Sequence, residues 1–278
     1  MPELPEVETI RRQLNKLIVG KKIKSVDVRL PKIVKAPLPA FRRALANAKI
    51  KIIVRRAKIF AITLDNGWTM LIHLKLTGQM LYQKKQNTKQ EAEGKYTHIV
   101  FYFSDGSRLL FNDLRQFGYI KLIKTGDLEN YFLKEKFGPE PLDKKFTLAV
   151  FRKILRRRPK AKIKPWLMDQ KNIAGIGNIY SDEILFAAGV HPLRRNQTLK
   201  PPEIKKIFNA IKKILTKAVK LRGTSASDYF DAYGREGNFL KELKVYGKER
   251  ENCVKCNKGI KRVKINGRSA HFCPNCQI

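Results

Sequence analysis

The sequence predicts an α+β protein with more than one domain, because its hydrophobic pattern changes twice along 278 residues and its cysteines are confined to the C-terminal tail. A helical period in the first twenty residues gives way to strand patterns over 50–111. From residue 146 the period is helical again, and all four cysteines lie in the last 26 residues. A chain of this length can form two domains with separate cores or one large domain.

The first predicted element is a helix that begins close to the N-terminus. Pro5 stands where a first helical residue would, and Glu6 and Glu8 lie in the first turn. Apolar residues then repeat at helical spacing up to Gly20; they are Val7, Ile10, Leu14, Leu17 and Ile18. This combination is typical of a helix start.

The residues before that helix carry a possible covalent catalyst. Removal of Met1 would leave Pro2 as a terminal secondary amine beside the carboxylate of Glu3. An N-terminal amine has a reference pKa of about 8, against about 10.4 for lysine, although a prolyl amine is more basic than that reference. Its attack on a sugar aldehyde carbon gives an iminium that stays cationic and acidifies the neighbouring carbon for elimination. Cleavage of a sugar backbone would follow, but an ordinary helix start explains the same residues.

Strands are predicted next, as two antiparallel hairpins. The predicted strands are 59–64, 69–74, 97–104 and 108–111. The turns Asp65-Asn66-Gly67 and Asp105-Gly106 join them in pairs. The polar stretch 83–95 between the hairpins predicts a loop.

Helices are predicted after the sequence Phe137-Gly138-Pro139-Glu140-Pro141. They cover residues 146–157, 178–188 and 202–221. The following segment, 222–239, contains three glycines and many polar residues, which predicts a functional or disordered loop rather than a core element.

The four cysteines predict a structural zinc site. They form two pairs, Cys253-x2-Cys256 and Cys273-x2-Cys276, with sixteen residues between the pairs. Four thiolates suit the tetrahedral coordination of a closed site, and disulfides would be unexpected in a chain without a secretory signal. We therefore expect one Zn²⁺ on these four ligands, with His271 outside the shell.

A short hairpin is predicted between the cysteine pairs. Asn266-Gly267 bisects the spacer, so 261–265 and 268–272 should pair around a tight turn. Arg268 then stands at the tip of a finger that the metal braces. A surface arginine after a turn is normally inert, but this position favours contact with phosphate.

The charge of the chain predicts a polyanionic partner. The formal net charge is +35 with a pI near 10.2, and the basic residues run from Arg11 to Arg268. Habitat or genome composition explains part of this excess. No apolar run approaches the roughly 18 residues of a membrane span, and the N-terminus lacks the core of a signal peptide. We therefore expect a cytoplasmic protein without membrane contact.

Several segments, taken in order, resemble the formamidopyrimidine-DNA glycosylases, the bacterial 8-oxoguanine glycosylase family. They are 2–9 (PELPEVET), 73–78 (HLKLTG), 113–118 (DLRQFG), 163–169 (IKPWLMD), 175–180 (GIGNIY) and the cysteine tail. Each segment alone is a weak or moderate signal, whereas the ordered set over the full length is highly specific. The resemblance implies an N-terminal β-sandwich with a leading helix (1–135), a helix-two-turn-helix domain (136–246) and a C-terminal zinc ribbon (247–278), with DNA in the cleft between two lobes.

The resemblance also implies catalytic and phosphate-binding residues. Pro2 would be the nucleophile after removal of Met1, Glu3 the general acid for base loss and sugar ring opening, and Glu6 a supporting carboxylate. Positions that hold phosphates around the lesion match Lys58, which also belongs to the catalytic group, and His73, Asn178, Tyr246 and Arg268. Asn178 also fits the N-cap of the helix that begins there, and we expect both roles together.

A base inside duplex DNA must leave the stack before an enzyme can act on it, and side chains fill the gap. In this family three residues do so, and they match Leu76, Arg115 and Phe117. Leu76 departs from the usual methionine with a side chain of similar size, so insertion should survive. For Leu76 and Phe117 the alternative is an ordinary core position.

Lys75 and Gln116 also differ from common family residues, and the differences bear on lesion search and on the preferred opposite base. Lys164 matches a position near the damaged base, and 222–239 matches the loop that covers it in the family.

The function implied by the resemblance is base excision repair by a bifunctional DNA glycosylase and abasic-site lyase. Such an enzyme excises oxidised purines (8-oxoguanine and formamidopyrimidines) through a Schiff base at Pro2 and cuts the strand by β,δ-elimination. We expect a monomer on damaged double-stranded DNA, associated with the bacterial nucleoid.

Two alternatives stay open. One is an oxidised-pyrimidine glycosylase of the endonuclease VIII type, although Leu4 argues against it because that branch begins Pro-Glu-Gly. The other is a non-catalytic DNA-binding protein on the same scaffold, which would not need Pro2 or Glu3.

Overall fold

The computed structural model describes residues 2–84 and 94–278, so most of the predicted loop 83–95 lies outside the described residues. The chain divides into two compact units. The N-terminal unit contains residues up to Glu135 together with Leu221–Leu240, and the C-terminal unit contains Lys136–Lys220 and Lys241–Ile278.

The N-terminal unit is built from strands with a leading helix. Its elements are α1 (Leu4–Ile18), β1 (Ile23–Val28), β2 (Val34–Lys35), α2 (Leu38–Leu45), β3 (Ile50–Arg56), β4 (Ile59–Leu64), β5 (Trp68–His73), β6 (Gly78–Gln83), β7 (Thr97–Phe103), β8 (Arg108–Asp113), β9 (Tyr119–Lys124) and α3 (Leu128–Glu135). Both predicted hairpins are confirmed, since β4 pairs with β5 and β7 pairs with β8, each antiparallel.

Two sheets share one core, which confirms the expected β-sandwich. One sheet has the strand order β1-β7-β8-β6 and the other β2-β9-β5-β4-β3. Side chains of both sheets, such as Phe101 and Phe60, belong to the same fully buried cluster. The apolar face of α1 joins this cluster through Val7, Ile10 and Leu14, because α1 packs on β3 and β4. The sandwich therefore holds the N-terminal end of α1 in a fixed place.

The sequence patterns did not reveal β1 and β9. In β1 the burial does not alternate, because two exposed polar residues, Lys24 and Ser25, are followed by half-buried Val26 and Asp27. β9 pairs antiparallel with β5 and parallel with β2, so its partners are distant in sequence. Local periodicity is weak where non-local pairing decides the strand.

The segment Leu221–Leu240 packs with the N-terminal unit, although the middle domain expected from the sequence includes it. Tyr229 and Ala232 lie in the core of the sandwich. The Tyr82 N–H donates to the Ala232 carbonyl at 2.8 Å. The segment is irregular, as predicted, but it is anchored through buried contacts.

The C-terminal unit is helical and ends in a small hairpin. Its elements are α4 (Leu148–Arg156), α5 (Ile163–Met168), α6 (Asn178–Ala188), α7 (Pro201–Lys220), β10 (Lys261–Ile265) and β11 (Arg268–Phe272). The three predicted helices and the predicted hairpin are confirmed. α5 has only six residues, too few for a periodic signal. Among the helices of residues 2–84 and 94–278, none has the length and apolarity needed to cross a membrane.

Candidate functional site

The N-terminal end of α1 carries two buried carboxylates. Glu3 is the N-cap and forms a capping box with Glu6, in which the Glu3 N–H donates to Glu6 Oε2 at 2.7 Å. Each of the two residues is 1% exposed. Pro2, also buried, directly precedes this cap.

Glu6 also joins α1 to the segment Leu221–Leu240. Its Oε1 accepts the Thr224 N–H at 2.8 Å. Gly223 has φ +80°, and a Cβ there would stand 2.7 Å from Glu6 Oε1. A glycine is therefore required at 223 for two reasons, the left-handed backbone and the close approach to Glu6. Both contacts set the backbone of 223–224 against the first turn of α1.

A second anchor lies further along α1, and the sequence patterns did not reveal it. Gln13 donates from Nε2 to Asp231 Oδ2 and accepts the Ala232 N–H on Oε1, both at 2.9 Å. Asp231 is fully buried and accepts the Tyr233 and Arg235 N–H groups as well. The Asp231–Gly234 turn has a local signal, but its long-range partner on α1 has none.

Lys58 lies in the tight turn between β3 and β4 and is 6% exposed. The next residue, Ile59, pairs with His73 at the end of β5. The sheet register thus brings the predicted residues Lys58 and His73 to the same edge of the sandwich, as expected for residues at strand ends.

His73 is held as a neutral imidazole. Burial, together with the charges of Lys75 and Lys58, lowers the pKa of His73 to about 3. His73 Nδ1 accepts the Lys75 N–H at 2.9 Å, so the proton of the neutral ring is on Nε2. That N–H can donate to an anionic oxygen without a charge change on the ring.

Asp113 organises the two loops that carry Leu76, Arg115 and Phe117. It is fully buried and accepts hydrogen bonds from the Thr77 hydroxyl and from the Gly118 N–H, the latter at 2.6 Å. The Arg115 N–H donates to Thr77 Oγ1 at 2.9 Å. These hydrogen bonds join the two loops that carry the predicted gap-filling residues. In the sequence, the only signal for this role was the position of Asp113 in the DLRQFG segment.

Phe117 is 54% exposed, which shows that the core alternative is wrong for this residue. The Arg115 guanidinium lies over the Phe117 ring, 5.1 Å from its centroid. Leu76 is half-buried. An exposed aromatic ring under a cation is suited to stacking or insertion between bases.

In the C-terminal unit the four cysteines form one cluster. Their Sγ atoms all lie within 4.8 Å of one another, with Cys253–Cys276 at 3.8 Å and Cys256–Cys273 at 3.4 Å. A zinc tetrahedron with Zn–S bonds of about 2.3 Å has edges of roughly 3.8 Å, so the donor set fits Zn²⁺. Four thiolates at these distances repel one another, so a cation is needed to hold them together. The protein thus has one structural Zn²⁺ site, as predicted.

The hairpin above this cluster turns at Asn266 and Gly267, which have φ +46° and +77°. Arg268 follows the turn and is exposed, as predicted. An open groove beside it is lined by Asn178, Arg262, Val263, Lys264, Gly267, Arg268 and Ser269. Three cations around one groove can hold a phosphate.

Asn178 begins α6 and points toward the finger. Its Nδ2 donates to Ser269 Oγ at 3.2 Å. Its Oδ1 is buried and has no hydrogen-bond partner within residues 2–84 and 94–278. Gly177 is the N-cap of α6, so the N-cap role expected for Asn178 is wrong. The reason is that the glycine-rich turn supplies the extended cap residue itself.

Lys164 lies in the interior of the C-terminal unit, not at a surface. It is 1% exposed, and its Nζ donates to Asp182 Oδ1 and to the Ser269 carbonyl, both at 2.6 Å. The structure therefore gives no support to the expected contact of Lys164 with a damaged base. Burial of a lysine requires such a charged partner.

A backbone hydrogen bond fixes the position of Tyr246 in the C-terminal unit. Its N–H donates to Glu183 Oε1 at 2.9 Å, and its ring packs edge to face with that of His271, with 5.0 Å between the ring centroids. Burial raises the pKa of Glu183, which accepts this and two neighbouring N–H groups. His271 Nδ1 pairs with Asp182 Oδ2 at 3.1 Å and lies outside the cysteine cluster, as predicted.

Comparison with known proteins defines the class of this fold and site. Residues 1–120 match the formamidopyrimidine-DNA glycosylase N-terminal domain. Residues 137–229 match the formamidopyrimidine-DNA glycosylase H2TH domain, and residues 251–278 match a zinc finger found in FPG and IleRS. The class is that of DNA glycosylases with a helix-two-turn-helix domain and a zinc finger.

Curated relatives cover the whole chain. The formamidopyrimidine-DNA glycosylase of Pelotomaculum thermopropionicum is 42% identical over 278 residues, which are 100% of this chain and 99% of the relative. That of Listeria monocytogenes is 44% identical over 279 residues, 100% of both proteins. The chain therefore belongs to the formamidopyrimidine-DNA glycosylase family.

Solved structures agree. The complex between Lactococcus lactis Fpg and DNA containing an abasic site is 38% identical, covers 99% of each chain and has a TM-score of 0.91. The complex of wild-type Lactococcus lactis Fpg with DNA containing N7-benzyl-Fapy-dG has the same identity, coverage and TM-score.

Proposed function

We propose that the protein excises oxidised purines from double-stranded DNA and cuts the strand at the resulting abasic site. One observation carries the proposal. Glu3, which directly follows Pro2, forms a buried pair with Glu6 at the N-terminal end of α1. Relatives of the same length carry the name formamidopyrimidine-DNA glycosylase, and solved structures of one relative hold DNA with an abasic site or a Fapy lesion.

The chemistry begins at Pro2 after removal of Met1. The neutral secondary amine attacks C1′ of the damaged nucleotide, the glycosidic bond breaks, and its electron pair leaves with the base. The Pro2 nitrogen gives its proton to the Glu3 carboxylate, which passes it to the departing base or to the ring oxygen. Water protonates the other of these two leaving groups, and the opened sugar forms an iminium with Pro2. Loss of a C2′ proton then expels the 3′ phosphate, and a second elimination expels the 5′ phosphate.

Glu6 has a positioning role in this proposal. The Glu6 carboxylate accepts the N–H of Glu3, the proposed acid, and also the N–H of Thr224. One carboxylate therefore holds both Glu3 and the segment Leu221–Leu240. A general acid must be within hydrogen-bond reach of the proton's destination, and a fixed backbone at Glu3 makes that geometry reproducible.

Binding uses both units. In the N-terminal unit, Lys58 and neutral His73 supply donors for phosphates, and Leu76, Arg115 and Phe117 fill the space of the extruded base. In the C-terminal unit, Asn178, Tyr246 and Arg268 hold the DNA backbone. Bound Zn²⁺ keeps Arg268 at the tip of the hairpin and takes no part in the reaction. We also propose that the protein acts as a monomer in the cytoplasm, at the nucleoid.

Borohydride trapping tests the proposal. Reduction during reaction with an 8-oxoguanine duplex should give a covalent protein–DNA adduct, and peptide mapping should locate it at Pro2. The Lys58→Met variant lacks the primary amine that the proposal places at the same site and should still give the adduct. An adduct on a lysine, or intact mass showing that Met1 is retained, contradicts the mechanism and favours a non-catalytic DNA-binding protein.

The lesion class has its own test. Cleavage of 8-oxoguanine and thymine glycol duplexes under the same conditions should favour the oxidised purine, in line with the names of the relatives. Preference for thymine glycol would instead support an enzyme of the endonuclease VIII type.

A further inference from the structure

A buried arginine connects α1 to the turn that carries Lys58. Arg55 Nε donates to Glu8 Oε2 at 3.1 Å, and Arg55 Nη1 donates to the Ala57 carbonyl at 2.8 Å. The Arg55 side chain is 8% exposed and that of Glu8 is 10% exposed. One guanidinium therefore spans the gap between the helix and the β3–β4 turn.

The turn itself has a conformation that needs support. Ala57 has φ +52°, a left-handed backbone that residues with a Cβ adopt at a cost in free energy. Such a conformation persists where surrounding contacts determine it. The hydrogen bond from Arg55 to the Ala57 carbonyl is such a contact, and it acts one residue before Lys58.

The Glu8 carboxylate is the hydrogen-bond acceptor that holds Arg55 against α1. It lies on α1, the helix that contains Glu6 and that Glu3 caps, and it also accepts hydrogen bonds from Arg11 and Arg12, the latter at 2.7 Å. Burial raises the pKa of Glu8, but the hydrogen bonds from Arg11 and Arg12 and the charge of Arg55 outweigh it and lower the pKa to about 2. Glu8 is therefore ionised at neutral pH.

We propose that Glu8 and Arg55 are positioning residues for Lys58. The pair fixes the 57–58 turn to the helix whose N-terminal end carries Pro2 and Glu3, so that the Lys58 ammonium keeps a set place relative to the nucleophile. The inference rests on the proposed function, because it requires Lys58 to act at the same site as Pro2. The group that Lys58 meets there is an anionic phosphate oxygen of the strand.

Two matched variants test the inference. Arg55→Met and Arg12→Met each remove one arginine from Glu8, but only Arg55→Met also removes the hydrogen bond from Arg55 to the Ala57 carbonyl. Arg12 is a suitable control because its side chain is 58% exposed. In single-turnover incision of a duplex with a preformed abasic site, Arg55→Met should be slower by roughly 10- to 100-fold, the scale of small misplacements at an active site. Arg12→Met should react at the wild-type rate.

A double variant separates positioning from general damage. If Arg55 acts through Lys58, Arg55→Met should cause no further loss in a Lys58→Met background. Additive losses in the double variant, equal losses in Arg55→Met and Arg12→Met, or a wild-type rate in Lys58→Met would each overturn the inference. Borohydride trapping should still map to Pro2 in Arg55→Met, so this failure is distinguishable from failure of the proposed function.

A second variant covers the case in which Arg55→Met does not fold. Arg55→Lys keeps a cation beside Glu8 but cannot donate to two separated acceptors as the guanidinium fork does. It should fold, retain the zinc and bind abasic-site DNA, yet show a reduced incision rate. A wild-type rate in folded Arg55→Lys would overturn the inference.

Discussion

The end of α1 and the tip of the cysteine hairpin present their functional groups by different means. At α1, Glu3 forms a capping box with Glu6, and Gly223 lies against the Glu6 carboxylate. The core of the sandwich supports the helix. At the hairpin, few apolar side chains are available; the cysteine cluster lies below it, and buried Lys164 donates to the carbonyl of Ser269, the residue after Arg268. The proposed catalytic group at α1 therefore depends on a hydrophobic core for its position, whereas the proposed phosphate contact at the hairpin depends on a metal.

Removal of zinc should separate the two regions most strongly. Structural zinc contributes about 10–16 kcal/mol in isolated finger peptides, far more than the small core of residues 251–278 can replace. Chelation should abolish DNA binding and expose the amides of 251–278 to hydrogen exchange, while the sandwich stays protected. Added Zn²⁺ should restore both properties. Full protection of 251–278 after metal loss would contradict this view.

Glu3→Gln should then break the chemistry and leave the fold intact. The amide can still accept the Glu6 N–H of the capping box, but it cannot donate an acidic proton. Loss of a general acid lowers rates by about 100- to 10,000-fold. Excision of 8-oxoguanine should fall by this amount, with a smaller effect on a preformed abasic site. Equal losses on the two substrates would show that Glu3 is not specific to base removal.

Gly223→Ala tests the close approach between Glu6 and residue 223. The added Cβ meets Glu6 Oε1 at 2.7 Å, whereas in Gly234→Ala, also at positive φ, nothing lies within 4 Å. Both variants pay about 1–2 kcal/mol for the left-handed backbone, and only Gly223→Ala adds an overpacking cost of roughly 1–3 kcal/mol. Denaturation should show this difference, together with a slower excision rate for Gly223→Ala alone. Equal stability of the two variants would argue that the Glu6 carboxylate moves aside freely.

Arg268→Ala should have the smallest effect, on binding alone. Loss of a charge-assisted phosphate contact costs on the order of 1–3 kcal/mol, and the salt dependence of log affinity should fall by about 0.9. Lys261→Ala is the control, because Lys261 is exposed on the same hairpin but does not line the groove. Identical affinities for the two variants would remove Arg268 from the binding surface.

Local patterns predicted some elements residue by residue. The hairpin of β10 and β11 has the predicted bounds, because Asn266-Gly267 and the flanking cysteines confine it. α6 also begins and ends as predicted. In each case the deciding contacts are a few residues apart in sequence, where turn chemistry and periodicity act.

Sequence patterns did not predict the contacts that join residues distant from each other in the sequence. Asp113 looked like one member of a motif, yet it joins two loops through Thr77 and Gly118. Lys164 matched a position near a base, but Asp182, eighteen residues away, holds it in the interior. A single sequence does not show which acidic residue will meet a given lysine after folding.

The amino-acid sequence alone determined the cysteine cluster, the helix start after Pro2 and the hairpin that carries Arg268, because each depends on residue types at short, fixed spacing. The tertiary structure decided how Glu6 meets Thr224, how Gln13 meets Asp231 and how Arg55 meets Glu8. Those contacts join residues tens to hundreds of positions apart. Only the packing of α1 on the sandwich and on Leu221–Leu240 brings them within hydrogen-bond distance.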